Sequence, residues 1–121
     1  MTSRTILVVD DDDHVRDMLC AVLSAEGFRA VGAADGLEAL QCLREDGPPA
    51  LILVDLMTPR MNGEELIGAI HQDPVLARIP IVIVSGQQHL RDPASHPRVD
   101  ACLSKPIELE ELLALARRFA G

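Results

Sequence analysis

Short runs of branched aliphatic residues recur along the chain, and between them apolar residues return every three or four positions. The runs lie at residues 6–9, 30–31, 51–54, 81–84 and 99–103. Those at 6–9, 51–54 and 81–84 lack polar alternation. Such runs predict strands buried on both faces, in a mostly parallel sheet with helices on each side. The run at 30–31 is the weak one. Between the runs, Val15, Met18, Leu19, Val22 and Leu23 keep helical spacing, with Gly27 to close the helix. Leu37, Leu40 and Leu43 repeat the pattern up to Gly47-Pro48-Pro49, and Leu66, Ile67 and Ile70 repeat it up to Asp73-Pro74. Leu109, Leu112, Leu113 and Ala116 form a last helix, acidic in its first turn (Glu108, Glu110, Glu111) and basic in its last (Arg117, Arg118). A helix is also expected across residues 86–98, but Pro93 and Pro97 limit it to one or two turns. The prediction is a single doubly wound α/β domain, residues 1–121, with five strands and a short or irregular fourth helix.

Composition narrows the possible roles. The chain has 121 residues, 48% of them hydrophobic, enough for a core without disulfides. Aromatic residues make up 2%, which argues against a stacking platform for single-stranded nucleic acid. The net charge of -8 predicts no direct DNA binding, because phosphate backbones are repelled. The longest apolar run, residues 18–23, is far too short for a bilayer, so no membrane contact is expected. The run at 6–9 enters four aspartates, unlike a secretory signal. Cys20, Cys42 and Cys102 show no CxxC spacing, which fits a reducing cytoplasm better than a disulfide framework or a zinc site.

In open parallel sheets ligands bind beyond the carboxyl ends of the strands. Asp10, Asp11, Asp12 and Asp13 follow the first run, Asp55 follows the third, Ser85 the fourth, and Ser104, Lys105 and Pro106 the fifth. Two carboxylates about 4 Å apart repel by roughly 4 kcal/mol at an effective dielectric near 20. A cluster of three needs protons, Lys105 or a divalent cation to offset it. An all-oxygen, half-open site suits Mg²⁺, with Mn²⁺ as a substitute. A carboxylate beside such an ion can attack phosphorus and form an acyl phosphate. Asp12 and Asp13 need no such role, since they stand where a helix N-cap is required. His14, His71, His89 and His96 are scattered and read as surface residues, and Cys20 and Cys42 read as core.

Ile6 through Asp12, Leu51 through Pro59, Asn62-Gly63, Val84-Ser85-Gly86 and Lys105-Pro106 together resemble the receiver domain of bacterial two-component response regulators. The resemblance covers nearly the whole chain and implies a flavodoxin-like sheet of strand order 2-1-3-4-5. It implies Asp55 as phosphoacceptor, with Mg²⁺ held by Asp10, Asp11, Asp55 and the backbone carbonyl of Met57. Ser85 becomes the switch hydroxyl that binds the phosphoryl group, Lys105 its cationic partner, and Pro106 a cis proline. The phosphoryl donor is expected to be a histidine kinase or a histidine phosphotransfer protein. Kinases of the family dock along the first helix, where Val15, Met18 and Leu19 fit either that face or the core. The downstream target is left open, and a monomer or weak dimer is expected. The domain catalyses only its own phosphotransfer and dephosphorylation.

Three positions depart from the family pattern. Cys102 stands where an aromatic residue usually reports the phosphorylated state, so an aromatic flip is impossible there. Met57 and Gln87 occupy the positions that tune phosphate lifetime; a Met side chain cannot orient an attacking water and Gln is no base, which predicts a long-lived acyl phosphate. The proline-bearing segment 86–98 predicts a remodelled output face. Two competing functions remain: a protein-interaction receiver that signals without phosphate, supported by Cys102, and a small Mg²⁺ phosphatase with an aspartyl nucleophile. The second is disfavoured by Met57, which stands where such enzymes place a second acid. The chain stops at Gly121, soon after the last helix, so a stand-alone regulator, a phosphorelay shuttle or a piece of a longer protein is expected.

Overall fold

The unbroken aliphatic runs take the middle of a five-stranded parallel sheet of order β2-β1-β3-β4-β5. The structure, a computed structural model, describes residues 4–56, 60–86 and 99–121. Its strands are β1 (Thr5–Val9), β2 (Arg29–Ala33), β3 (Leu51–Asp55), β4 (Ile81–Ser85) and β5 (Ala101–Ser104). Its helices are α1 (Asp13–Ala25), α2 (Gly36–Asp46), α3 (Gly63–Gln72) and α4 (Leu109–Ala120), with a short 3-10 turn at Leu76–Arg78. Each strand pairs in parallel with its neighbours, and the predicted strand order is the observed one.

Alternate residues of the central strands serve opposite layers. Leu7, Val9, Ile52, Val54, Ile81 and Ile83 pack with Leu40, Leu43, Leu66 and Ile70 of α2 and α3. Ile6, Val8, Leu51, Leu53, Val82 and Val84 pack with Leu19 and Leu23 of α1 and with Leu112 and Ala116 of α4. Both sets are withdrawn from water, which is why these strands show no polar alternation. Burying an aliphatic side chain contributes about 1.5–3 kcal/mol, so this double layer is the main source of stability.

The helices start and stop where the sequence offers caps. Asp12 accepts from the His14 and Val15 N–H groups at the head of α1. Asp35 accepts from Glu38 N–H at the head of α2, and Asn62 and Glu65 form a capping box at α3. Gly27 and Gly47 follow α1 and α2 with positive φ, 91° and 79°.

The edge strands differ from expectation. β2 runs over five residues, Arg29–Ala33, where only residues 30–31 suggested it. It pairs with β1 at the sheet edge and is half exposed, so one arginine and small or single branched residues suffice there. Gly32 in this strand lies under the stem of Arg16, whose Cδ would stand 2.9 Å from an added Cβ. β5 begins at Ala101 rather than Val99. Asp100 anchors it, donating its N–H to the Ile81 carbonyl (2.8 Å) and accepting the Ile81 N–H on its carboxylate (2.9 Å). The helix expected over residues 86–98 falls, apart from Gly86, outside the described residues. Among the described residues no helix is long and apolar enough to cross a membrane.

Candidate functional site

Four parallel strands, β1, β3, β4 and β5, end at one edge and carry the polar groups there. β1 delivers Asp10, whose N–H donates to the Ala33 carbonyl (3.0 Å) at the end of β2. β3 ends in Asp55, paired in register with Val84 of β4. β4 and β5 pair Ser85 with Ser104, and Lys105 follows directly. The parallel arrangement is what gathers residues so far apart in sequence.

Asp10 and Asp55 are buried, 1% and 6% exposed, while Asp11 is exposed. One carboxylate oxygen from each of the three lies within 4.8 Å of the others. Lys105 Nζ donates to Asp10 Oδ2 (3.2 Å) and to Asp55 Oδ2 (3.0 Å). The Asp12 N–H donates to Asp10 Oδ1 (2.9 Å). Burial pushes the Asp10 carboxyl above its ordinary value, against the pull of the Asp12 N–H and Lys105. Burial by itself lowers the Lys105 ammonium, but its bonds to Asp55 and Asp10 outweigh that and raise it.

The donor set fits a hard divalent cation. All three groups offer oxygen, two are buried, and one ammonium faces three carboxylates, leaving a deficit of two positive charges. A cluster of this kind beside a lysine can hold a dication and accept a phosphoryl group.

The expected residues distribute as follows. Asp10, Asp11, Asp55 and Lys105 come together, and the Lys105-Pro106 peptide is cis. Ser85 ends β4 beside Ser104. Met57 and Gln87 lie outside the described residues, as do His89 and His96. His14 and His71 sit at the start of α1 and the end of α3, and among the described residues no histidine joins the carboxylates. Cys102 is half buried against the core layer shared with α2 and α3. Cys20 and Cys42 are free thiols, and burial pushes both up. A cavity of about 240 Å³ opens at the other end of the sheet, against Thr5, Arg29 and Pro49, and shares no residue with the carboxylates.

Sequence reasoning missed two supporting arginines. Arg16 Nη1 donates to the Asp10 carbonyl (2.8 Å), steadying the backbone beside the cluster. Arg60 bonds to buried Asp35. Neither Asp35 nor its partner, 25 residues on, was anticipated from the sequence.

Comparison with known proteins gives a consistent picture. The response regulator receiver domain family matches residues 6–117. The response regulator MprA of Mycobacterium ulcerans is 38% identical over 93% of this chain, covering 48% of its own length. The DNA-binding response regulator MtrA of Mycolicibacterium paratuberculosis is 37% identical over 93% of this chain and 49% of its own. A crystal structure of a Chloroflexus aurantiacus response regulator superposes with TM-score 0.88 at 30% identity, over 98% of both chains. The Vibrio cholerae chemotaxis protein CheY4 superposes with TM-score 0.85 at 26% identity, over 97% of this chain and 98% of its own.

The chain spans about half the length of the curated relatives it matches. This corrects the expectation of no direct DNA binding, since MtrA is named as a DNA-binding protein. The physical reason is one of scope. A net charge of -8 describes these 121 residues, and repulsion from phosphate in one domain does not govern a basic surface elsewhere in a longer chain.

Proposed function

The chain belongs to the response regulator receiver domain family, the phosphoacceptor switches of two-component signalling, and on that premise we propose that Asp55 takes a phosphoryl group from a histidine kinase or phosphotransfer protein with Mg²⁺ present. The observation that carries this reading is the placement of Asp10, Asp11, Asp55 and Lys105 at one sheet edge.

A carboxylate oxygen of Asp55 forms the new bond to phosphorus as the phosphorus–nitrogen bond of the donor imidazole breaks, and the electron pair leaves with the imidazole. Asp10, Asp11, Asp55 and the Met57 carbonyl would hold the cation, which supplies charge neutralisation when bound. Lys105 adds a second positive charge and keeps the Asp55 carboxylate oriented by its 3.0 Å bond. The role carried over to Ser85, at the end of β4, is that of the switch hydroxyl that would bind a phosphoryl oxygen. The domain thus catalyses its own modification and its own slow hydrolysis. We take residues 1–121 as one such domain, working in the cytoplasm.

Incubation with acetyl phosphate and Mg²⁺ should add one phosphoryl mass to the wild type. Asp55→Asn or chelation of the metal should abolish it. No label under any donor would favour phosphate-independent signalling, the reading that Cys102 supports. Because the Met57 side chain cannot orient an attacking water and Gln87 is no base, the label should persist well beyond seconds after the donor is removed. Decay within seconds would refute that assignment of the two positions.

A further inference from the structure

Asp35 is 3% exposed and lies outside the carboxylate cluster. Its two oxygens have separate partners. Oδ1 accepts the Glu38 N–H (3.0 Å) and caps α2. Oδ2 accepts from Arg60, at 2.6 Å from Nε and 2.6 Å from Nη2. The guanidinium holds the Asp35 carboxyl below its ordinary value. Arg60 itself sits at φ 59°, a backbone region in which glycine is at ease and a side chain is not. An arginine there is unfavourable for the backbone, so its contact with Asp35 needs a reason beyond turn geometry.

That reason lies in what Arg60 is joined to. It belongs to the connection from Asp55 to α3. Next to it, the Met61 carbonyl accepts the Gly36 N–H (2.9 Å). The approach is so close that a Cβ on Gly36 would meet the Met61 oxygen at 2.7 Å. At the other end, the Gly63 N–H donates to the Leu56 carbonyl (3.2 Å). A Cβ on Gly63 would meet the Asp55 oxygen at 2.9 Å. The described ends of the connection are therefore fixed: Arg60 and Met61 to the head of α2, and Gly63 to Leu56 at the end of β3.

We infer that Arg60 is a positioning residue for phosphoryl uptake, acting through Asp35 to hold Met61 and Gly63, and through Gly63 the end of β3 at Asp55, in register with the metal-binding carboxylates. The inference rests on the phosphoacceptor reading of Asp55. Removal of a group that orients ligands from behind commonly costs ten- to a hundredfold in metal affinity or activity.

Two variants isolate the contact. Arg60→Gly keeps the positive φ and removes the guanidinium. Asp35→Asn keeps an acceptor for the Glu38 N–H and removes the charge. Each should slow labelling by acetyl phosphate about tenfold, and raise about tenfold the Mg²⁺ concentration that half-maximally shifts the thermal unfolding midpoint. The double variant should be no slower than Arg60→Gly alone, and Arg60→Lys should recover part of the loss. Wild-type rates and Mg²⁺ response in both single variants would overturn the inference, as would losses that simply add. If the wild type takes no label, the reading of Asp55 fails instead, and the Mg²⁺ titration still judges the role of Arg60.

Discussion

Lys105 serves two carboxylates with one ammonium, so the charge left over around it decides what a substitution does. Asp10 is buried and its carboxyl is pushed up by that burial. A raised folded-state value means the metal-free protein loses stability as pH rises through it. Asp10→Asn should therefore stabilise the metal-free protein near neutral pH by on the order of 1 kcal/mol, because the neutral amide avoids the desolvation cost of a buried carboxylate. The same variant should lose the stabilisation that Mg²⁺ gives. Urea melts with and without Mg²⁺ check both signs, and destabilisation of the metal-free form would count against them. Asp10, Asp11, Asp55 and Lys105 were legible because each follows an aliphatic run, and parallel strands bring such ends together. Arg16 and Arg60 were not, because their partners are a backbone carbonyl and a carboxylate chosen by the three-dimensional path of the chain.

Within the elements, how clearly a strand reads follows how deeply it is buried. β1, β3 and β4 are covered on both faces and were plain in the sequence; β2 and β5, at the edges, were blurred in extent. Energetics should follow the same gradient. Leu53→Ala, in the centre of β3, should cost about 3 kcal/mol, while Val31→Ala at the half-exposed edge should cost under about 1 kcal/mol. Equilibrium unfolding of the two variants compares them directly, and equal losses would contradict the layered account. The head of α3 is a second sensitive point. Gly63→Ala places a methyl 2.8 Å from the Leu56 Cα and 2.9 Å from the Asp55 oxygen, where only backbone can yield. It should cost about 1–3 kcal/mol and slow labelling of Asp55. The Asn62-Gly63 pair was visible as part of the family resemblance, yet the contact that makes glycine necessary was not, because it needs the position of β3.

Across the whole molecule, opposing titrations set how stability follows pH. Arg60 depresses the Asp35 carboxyl below 3.8, so the pair stabilises fully above that value and fades as pH falls through the lower folded-state one. The difference in urea midpoint between wild type and Arg60→Gly, measured without metal, should be present near pH 7 and shrink as pH falls below 3.8. A difference that grows in acid would show that the bond is not ionic. Fold class and strand order were readable here because hydrophobic periodicity reports layers, and layers define this architecture. Reach beyond the domain was not readable, as the DNA-binding relatives of about twice the length show. The site also has a practical side. Lys105 is the chain's single lysine, so an acylating reagent finds one ε-amine, set between the two buried aspartates. The extent of its modification, read by mass beside that of the α-amine, becomes an intrinsic gauge of whether the acidic edge is closed over a ligand or open to solvent.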